Sequence, residues 1–452
     1  MARLFGTDGV RGEANLELMP ELAYQMGRAA ALYFGETLRA KGEAPSILIG
    51  RDTRISGPMF EAALSAGICS AGGQAVIAGI IPTPAIAYLT KALGFQAGIV
   101  VSASHNPFYD NGIKFFGQDG YKLPDRVEDE LEALIRRIDL DDDLYRAHRG
   151  SVGTVEVRRD LQRRYIDFVK STIDTRLDGL RVVLDCANGA SYEVMPTILR
   201  ELGADLTVLH ATPCGTNIND DCGSTHLESL RQAVLRYQAD IGIAHDGDAD
   251  RCLCLDEKGA LMDGDHLLVL CGLDMKKRGR LPKDTIVTTV MANIGFHKAL
   301  REAGIKAEVT KVGDRYVLEN MLAHGYALGG EQSGHIIFTE FATTGDGSVT
   351  ALQVLQALMR SEQSASALNA LMVSYPQLLV NVIVASKEGW EENVAIQGVI
   401  RDGEEALGAN GRILVRPSGT EPLIRVMAEG ADPKQLDLLC HRIADVIKRE
   451  LG

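Results

Sequence analysis

Ser46-Ile47-Leu48-Ile49-Gly50-Arg51-Asp52-Thr53-Arg54-Ile55-Ser56-Gly57 is the stretch that decides the fold. The apolar run at its start reads as a buried strand, the polar residues after Gly50 as a turn, and the pattern from Gly57 to Ala71 as a helix. Gly98-Ile99-Val100-Val101 then reads as a second buried strand, ending at Ser102. Short β-branched runs alternate with longer helical patterns in this way through about the first 360 residues, which is the signature of α/β units. Chemistry at the ends of strands is what such folds offer.

The opening pattern has two echoes, VVLDCANGA from Val182 and IVTTVMANIG from Ile286. Each is an apolar strand, a polar or small turn, and a helix. Their spacing of roughly a domain length suggests three related α/β domains, although a common βα unit also recurs by chance. After about Ser361 the pattern changes. Leu378 to Val384, Arg412 to Val415 and Leu423 to Ala428 read as strands and Pro433 to Glu450 as an amphipathic terminal helix, together an α+β domain. The charge-rich stretch Asp139 to Arg149 and the region Asp256 to Gly259 read as boundaries.

A chain of 452 residues is too long for one hydrophobic core, so three or four domains are expected. Its 46% hydrophobic and 24% charged residues are those of a globular chain, without the bias of disorder, collagen or coiled coil. A net charge of −14 argues against broad binding to nucleic acid or anionic membranes while leaving room for a local cationic cleft. No signal peptide is visible between Arg3 and Arg11, and no stretch approaches the roughly 20 apolar residues of a membrane span, so a cytoplasmic location is expected. The eight cysteines are sparse, and Cys252 and Cys254 form C-x-C instead of a paired zinc or redox motif, so reduced structural thiols are expected.

The strongest chemical signal is Asp246-Gly247-Asp248-Ala249-Asp250-Arg251, directly after the strand-like Ile241 to Ala244. Three carboxylates on alternate residues can converge on a hard cation such as Mg²⁺, which prefers oxygen ligands and leaves places for water or phosphate. A solvated acidic turn is the plainer reading. An EF-hand is excluded by context, because Arg251 stands where the sharp turn needs glycine and the flanks are strands.

Other motifs are weaker alone. Ser102-Ala103-Ser104-His105-Asn106-Pro107 follows a buried strand, and Pro107 blocks a regular helix, which places the serines on an exposed, fixed loop. Arg416-Pro417-Ser418-Gly419-Thr420-Glu421-Pro422 with Arg425 combines guanidinium groups, hydroxyls and a glycine turn, a set suited to phosphate or to an ordinary turn between strands. Gly330-Glu331-Gln332-Ser333-Gly334-His335 offers polar side chains between glycines that can approach a sugar. Lys114 and Arg11 are basic residues in or near glycine turns, where surface solvation is the default.

Taken together and in this order, these loops resemble the α-D-phosphohexomutase superfamily over nearly the entire chain. Phe5 to Gly12, SASHNPFYDNGIKFF from Ser102, KVGDRYV from Lys311 and TTGDG from Thr343 resemble its phosphoglucosamine mutases most closely. The resemblance implies four domains around a central cleft, three related α/β domains and a smaller C-terminal α+β domain. Their expected bounds are residues 1–150 with the phosphoserine loop, 151–256 with the metal loop, 257–368 with the sugar loop and 369–452 with the phosphate loop.

It also implies roles. Ser104 would carry the phosphoryl group as phosphoserine, and Asp246, Asp248 and Asp250 would hold one Mg²⁺ with an oxygen from Ser104. Lys114 and His335 would be candidate proton carriers, with Arg11 neutralising charge. Arg251, Lys311, Glu331 and Ser333 would contact substrate, while Arg416, Ser418, Gly419, Thr420 and Arg425 would hold the phosphate that is not reacting. The implied reaction interconverts glucosamine 6-phosphate and glucosamine 1-phosphate through a 1,6-bisphosphate, feeding UDP-N-acetylglucosamine and cell-wall synthesis. A homodimer is the candidate assembly. Phosphomannomutase or phosphoglucomutase activity is the alternative within the superfamily, and a non-catalytic Ca²⁺ or phosphosugar sensor is the alternative outside it. Ala249, where many members carry glycine, puts the backbone of the metal loop in question, and Gln332 fills a variable place.

Overall fold

The computed structural model describes residues 3–6, 9–140, 146–418 and 422–452. They divide into two units, residues 1–291 with 306–370, and residues 292–305 with 371–452. The first unit holds three sheets. One is built from β1 (Val10–Glu13), β2 (Ser46–Arg51), β3 (Gln74–Ile80), β4 (Ala97–Val101), β5 (Asp110–Gly117) and β6 (Val155–Val157), in the order β1-β5-β4-β2-β3-β6. The second contains β7 (Arg181–Asp185), β8 (Asp205–Leu209), β9 (Ile241–His245), β10 (Cys252–Asp256) and β11 (Leu261–Met262), in the order β11-β10-β9-β7-β8. The third contains β12 (Thr285–Thr289), β13 (Lys306–Thr310), β14 (Leu328–Gly330) and β15 (Ile336–Phe338), in the order β13-β12-β14-β15.

The three sheets share one plan. β2 lies parallel between β3 and β4, and β5 then runs antiparallel to β4. β7 lies parallel between β8 and β9, with β10 antiparallel to β9. β12 lies parallel between β13 and β14, with β15 antiparallel to β14. The echoed segments are therefore the central strands β2, β7 and β12, and the internal repeat is architectural. These strands read as continuous apolar runs because both faces of a parallel sheet are covered; Ile47, Leu48 and Ile49 are all 0% exposed.

Helix boundaries follow local chemistry. Pro20 and Pro58 stand in the first turns of helices Pro20–Phe34 and Gly57–Ser70, where a missing N–H costs nothing. These two helices pack on each other over the first sheet, burying Met26, Ala30, Phe60 and Leu64 in its core. The stretch from Asp139 expected as a boundary includes residues 141–145, which lie outside the described residues.

The second unit is a three-stranded antiparallel sheet of β16 (Gln377–Ile383), β17 (Arg412–Pro417) and β18 (Leu423–Glu429), in the order β16-β18-β17. Helix Pro433–Leu451 lays Leu436, Cys440, Ile443 and Ile447 against it, one side of the helix at three- and four-residue spacing. Among the described residues no helix is long and apolar enough to cross a membrane.

Candidate active site

The shared plan puts three loops in equivalent places. The serine loop joins β4 to β5, the acidic loop joins β9 to β10, and the loop with Glu331 and His335 joins β14 to β15. Each connects the outer parallel strand to its antiparallel neighbour, and within the first unit the three meet. Ser104 Oγ donates to Asp246 Oδ2 at 2.6 Å, and His335 Nδ1 lies 3.5 Å from Asp250 Oδ2. Beside them opens a cavity of about 570 Å³, lined by Arg3, Arg11, Ser104, Lys122, Asp250, Arg251, Arg315, Glu331 and His335 among others.

The serine loop is fixed but not exposed, contrary to the expectation from Pro107. Ser102 is 0% and Ser104 2% exposed, because polar side chains from neighbouring loops wrap the segment. Fully buried Arg54 pairs through Nε with Asp52 Oδ2 at 2.9 Å. Its two other nitrogens donate to the carbonyls of Ser104 (3.0 Å), Asn106 (2.8 Å), Asp110 (3.1 Å) and Pro107. Asn219 Nδ2 donates to the Ser104 carbonyl as well, at 2.9 Å. Ser102 Oγ donates to Asp52 at 2.6 Å and accepts from the Ser104 N–H at 3.0 Å. Ser104 itself takes φ +54°, a left-handed conformation that costs a non-glycine residue roughly 1 kcal/mol and persists because these bonds enforce it. Asp52, Arg54 and Asn219 escape a motif reading. The sequence signal for the first two was their position at the carboxyl end of β2, where such sheets place ligand-facing residues.

The acidic loop is no solvated turn: Asp246, Asp248 and Asp250 are 1%, 1% and 7% exposed. Their oxygens converge within 4.8 Å of one another. Asp248 Oδ2 accepts from Lys114 Nζ at 3.0 Å and from Thr83 Oγ1 at 2.7 Å, yet Asp248 Oδ1 and Asp250 Oδ1 are buried without a hydrogen-bond partner. Buried anionic oxygens left in that state are costly unless a cation takes them. A converging set of three carboxylates is what a hard divalent ion requires, so the residues fit a metal site. Burial, then the neighbouring Asp250 and Asp248, push the Asp246 carboxyl well above the usual range. Burial opposes ionisation of Asp250 too, but the adjacent His335, then Lys114 and Arg251, outweigh it and hold that carboxyl below the usual range.

Two backbone positions make the loop possible. A Cβ on Gly247 would stand 2.5 Å from the Ser104 carbonyl oxygen, so only glycine lets the acidic and serine loops touch. Ala249 adopts φ +56°, the left-handed conformation glycine would take freely, and its carbonyl is held by the N–H of Gly347 at 3.0 Å.

Lys114 stands in mid-strand on β5, 2% exposed, and not in a solvated turn. Arg11 is exposed on β1 at the cavity wall. His335 is 4% exposed; burial disfavours its charged form, but Asp250 and Asp314 outweigh this and raise its pKa to about 8. The N–H of Gly345 donates to its Nε2 at 3.0 Å, which suits the neutral ring with its proton on Nδ1, facing Asp250. Glu331 Oε1 accepts from the Gly313 N–H at 3.1 Å, tying the loop to the KVGDRYV segment. Ser333 Oγ is buried without a hydrogen-bond partner, and Arg251 is partly exposed at the cavity. Lys311 is exposed, while the residues after it, from Val312 to Tyr316, line the cavity.

In the second unit, Arg416 and Arg425 are direct cross-strand partners on β17 and β18. Burial, then Arg425, lowers the pKa of Arg416. Like charges placed opposite one another destabilise a sheet, a cost that a bound anion removes. Ser418 is buried and its carbonyl accepts from Lys387 Nζ at 2.8 Å. Gly419 and Thr420 lie outside the described residues.

Comparison with known proteins agrees with this architecture. Family models for phosphoglucomutase/phosphomannomutase match in four pieces: alpha/beta/alpha domain I over residues 2–142, domain II over 163–259, domain III over 263–375, and the C-terminal domain over 379–446. The chain is 54% identical over 452 residues to a phosphoglucosamine mutase of Symbiobacterium thermophilum, covering all of both chains. It is 52% identical over 463 residues to that of Heliobacterium modesticaldum, covering 99% of this chain and 100% of the other. Among solved structures, a phosphoglucomutase/phosphomannomutase family protein from Burkholderia thailandensis superposes with a TM-score of 0.80 at 25% identity, over 99% of this chain and 97% of that one. The Aspergillus fumigatus N-acetylphosphoglucosamine mutase, solved with GlcNAc-6P and magnesium, shares the fold at a TM-score of 0.70 and 18% identity, over 99% and 96% of the two chains. Four matched domains in order and more than half the residues shared along the full length make this chain a member of the phosphoglucosamine mutase family.

Proposed function

We propose that this chain is an isomerase that interconverts glucosamine 6-phosphate and glucosamine 1-phosphate through a phosphorylated Ser104. The observation that carries the reading is the 2.6 Å bond from Ser104 Oγ to Asp246, which sets a hydroxyl held by a rigid loop against three converging carboxylates at the wall of a cavity lined by both arginines and carboxylates. The family membership supplies the sugar.

Phosphoryl transfer asks mainly for alignment and charge neutralisation. Asp246, Asp248 and Asp250 would hold Mg²⁺, which when bound offsets the charge on the transferring phosphoryl group. A hydroxyl of the substrate attacks phosphoserine, the bond to Ser104 Oγ breaks, and the substrate becomes the 1,6-bisphosphate. The bisphosphate then presents its other phosphate, and Ser104 Oγ takes that group back. Lys114, 3.0 Å from Asp248, adds positive charge beside the acidic loop in both halves. Lys114 and His335 are the two candidates for carrying the hydroxyl proton. Arg11 and Arg251 add positive charge, and Glu331 and Ser333 bind sugar hydroxyls. Arg416, Ser418 and Arg425 supply the grip on the phosphate that is not reacting. A sugar phosphate substrate and eight unpaired thiols suit a cytoplasmic enzyme.

Peptide mass analysis of freshly purified protein tests the central step. One phosphate on Ser104, and no turnover in a folded Ser104→Ala protein, are expected. Near wild-type turnover in Ser104→Ala, given substrate and bisphosphate, overturns the covalent route. Comparing kcat/KM for glucosamine, glucose and mannose phosphates tests the sugar.

A further inference from the structure

A second group of metal-ligating side chains lies outside this machinery, in the second sheet. Asp185 closes β7, His210 follows β8 directly, and Cys222 lies in the connection to the next helix; their Oδ, ring nitrogen and Sγ atoms come within 4.8 Å of one another. Asp185 and His210 thus sit at the carboxyl ends of adjacent parallel strands, the edge where such sheets bind ligands. We propose that Asp185, His210 and Cys222 form a second cation site, distinct from the three aspartates and selective for a thiophilic divalent ion of the Zn²⁺ class.

Four observations carry this. The donor set of one carboxylate, one imidazole and one thiol is a zinc set, poorly suited to Mg²⁺. His210 Nδ1 is a buried atom only 3.0 Å from Asp185 Oδ2, so the imidazole already faces the carboxylate. The carboxylate is already oriented from behind, Oδ1 accepting from the N–H of Ala187 at 2.8 Å and Oδ2 from that of Gly223 at 3.0 Å, the outer-shell support that metal ligands need. Finally, Asp185 and Cys222 are fully buried while the His210 side chain is 29% exposed, which leaves one open side for an ion to arrive and for water as a fourth ligand. Closing three atoms from this spacing onto ligand distances of about 2.0 to 2.3 Å takes side-chain movements of roughly an ångström.

Binding releases the Cys222 thiol proton to solvent, since the thiolate is the ligand. The site also touches the reaction indirectly. Three residues before Cys222, Asn219 holds the Ser104 carbonyl, so an ion at Cys222 would stiffen the support beneath the nucleophile.

The test uses the full chain in excess Mg²⁺, which occupies the three aspartates, with Zn²⁺ added and free metal then removed. Expected is one zinc retained per chain in the wild type and in Asp248→Asn, a raised Tm, and none retained in Cys222→Ser. Co²⁺ in place of Zn²⁺ should give a thiolate charge-transfer band that Cys222→Ser lacks. His210→Asn serves if the buried serine variant fails to fold, because asparagine tolerates the left-handed φ of +46° at that position. Zinc retained equally by Cys222→Ser and His210→Asn, zinc lost in Asp248→Asn alone, or no zinc retained by the wild type would each overturn the proposal and leave a structural His–Asp pair.

Discussion

Arg54→Lys is the most discriminating perturbation of the scaffold. The guanidinium spans one carboxylate and four carbonyls, those of Ser104, Asn106, Pro107 and Asp110, and all of these partners rely on a fully buried group. A lysine ammonium keeps the charge against Asp52 but has three donors, so at least two carbonyls lose a charged donor, although Asn219 still donates to those of Ser104 and Asn106. Each hydrogen bond from a charged donor contributes about 1.5 to 3 kcal/mol, which places the local loss for two of them at about 2 to 4 kcal/mol after some relaxation of the loop. Converted at about 1.4 kcal/mol per decade, opening of the segment becomes roughly 30- to 700-fold more frequent. Amide hydrogen exchange on peptides covering residues 102–110 reads this directly, with β7 as an internal control whose protection should not change. Mutase turnover should fall in parallel, because Ser104 would spend less time at Asp246. Unchanged exchange together with turnover within about twofold of wild type would refute the view that Arg54 positions the nucleophile loop.

Three further outcomes follow from distances already given. Gly247→Ala should keep its fold but separate the serine and acidic loops, because its Cβ would meet the Ser104 carbonyl oxygen at 2.5 Å; a kcat loss of at least about tenfold with little change in KM is expected. Asp248→Asn should weaken Mg²⁺ binding in calorimetry and reduce turnover, since it removes one of three converging charges, and full Mg²⁺-dependent activity would remove the site. Arg425→Lys should raise KM in both directions while Ser104 still holds phosphate, because the planar fork is lost and the charge kept; a purely thermal defect with normal kinetics would make the hairpin a structural turn.

Much of this was legible beforehand for an identifiable reason. Ile47 to Ile49, Val182 to Leu184 and Ile286 to Val287 are apolar on consecutive residues because they lie in parallel sheets covered on both faces, and that pattern survives in one dimension. The three aspartates were readable because alternate residues of one short loop must share a neighbourhood. The repeat was ambiguous at that level, since a βα unit is common. Only strand order and direction showed β2, β7 and β12 to be equivalent, and with them the three loops that follow β4, β9 and β14.

The chain by itself determined the α/β class, the identity of the chemical loops and the family, because these depend on local periodicity and on residues close together in sequence. Tertiary structure alone decided burial and partnership. Ser104 is enclosed, where Pro107 suggested exposure, because Arg54 and Asn219 reach it from 50 and 115 residues away. Lys114 is paired to Asp248 across 134 residues, and Asp185, His210 and Cys222 meet although no short motif joins them. Hydrogen bonds and ion pairs act over a few ångströms of space, whatever the distance along the chain, so their partners become known only when the sheets are assembled.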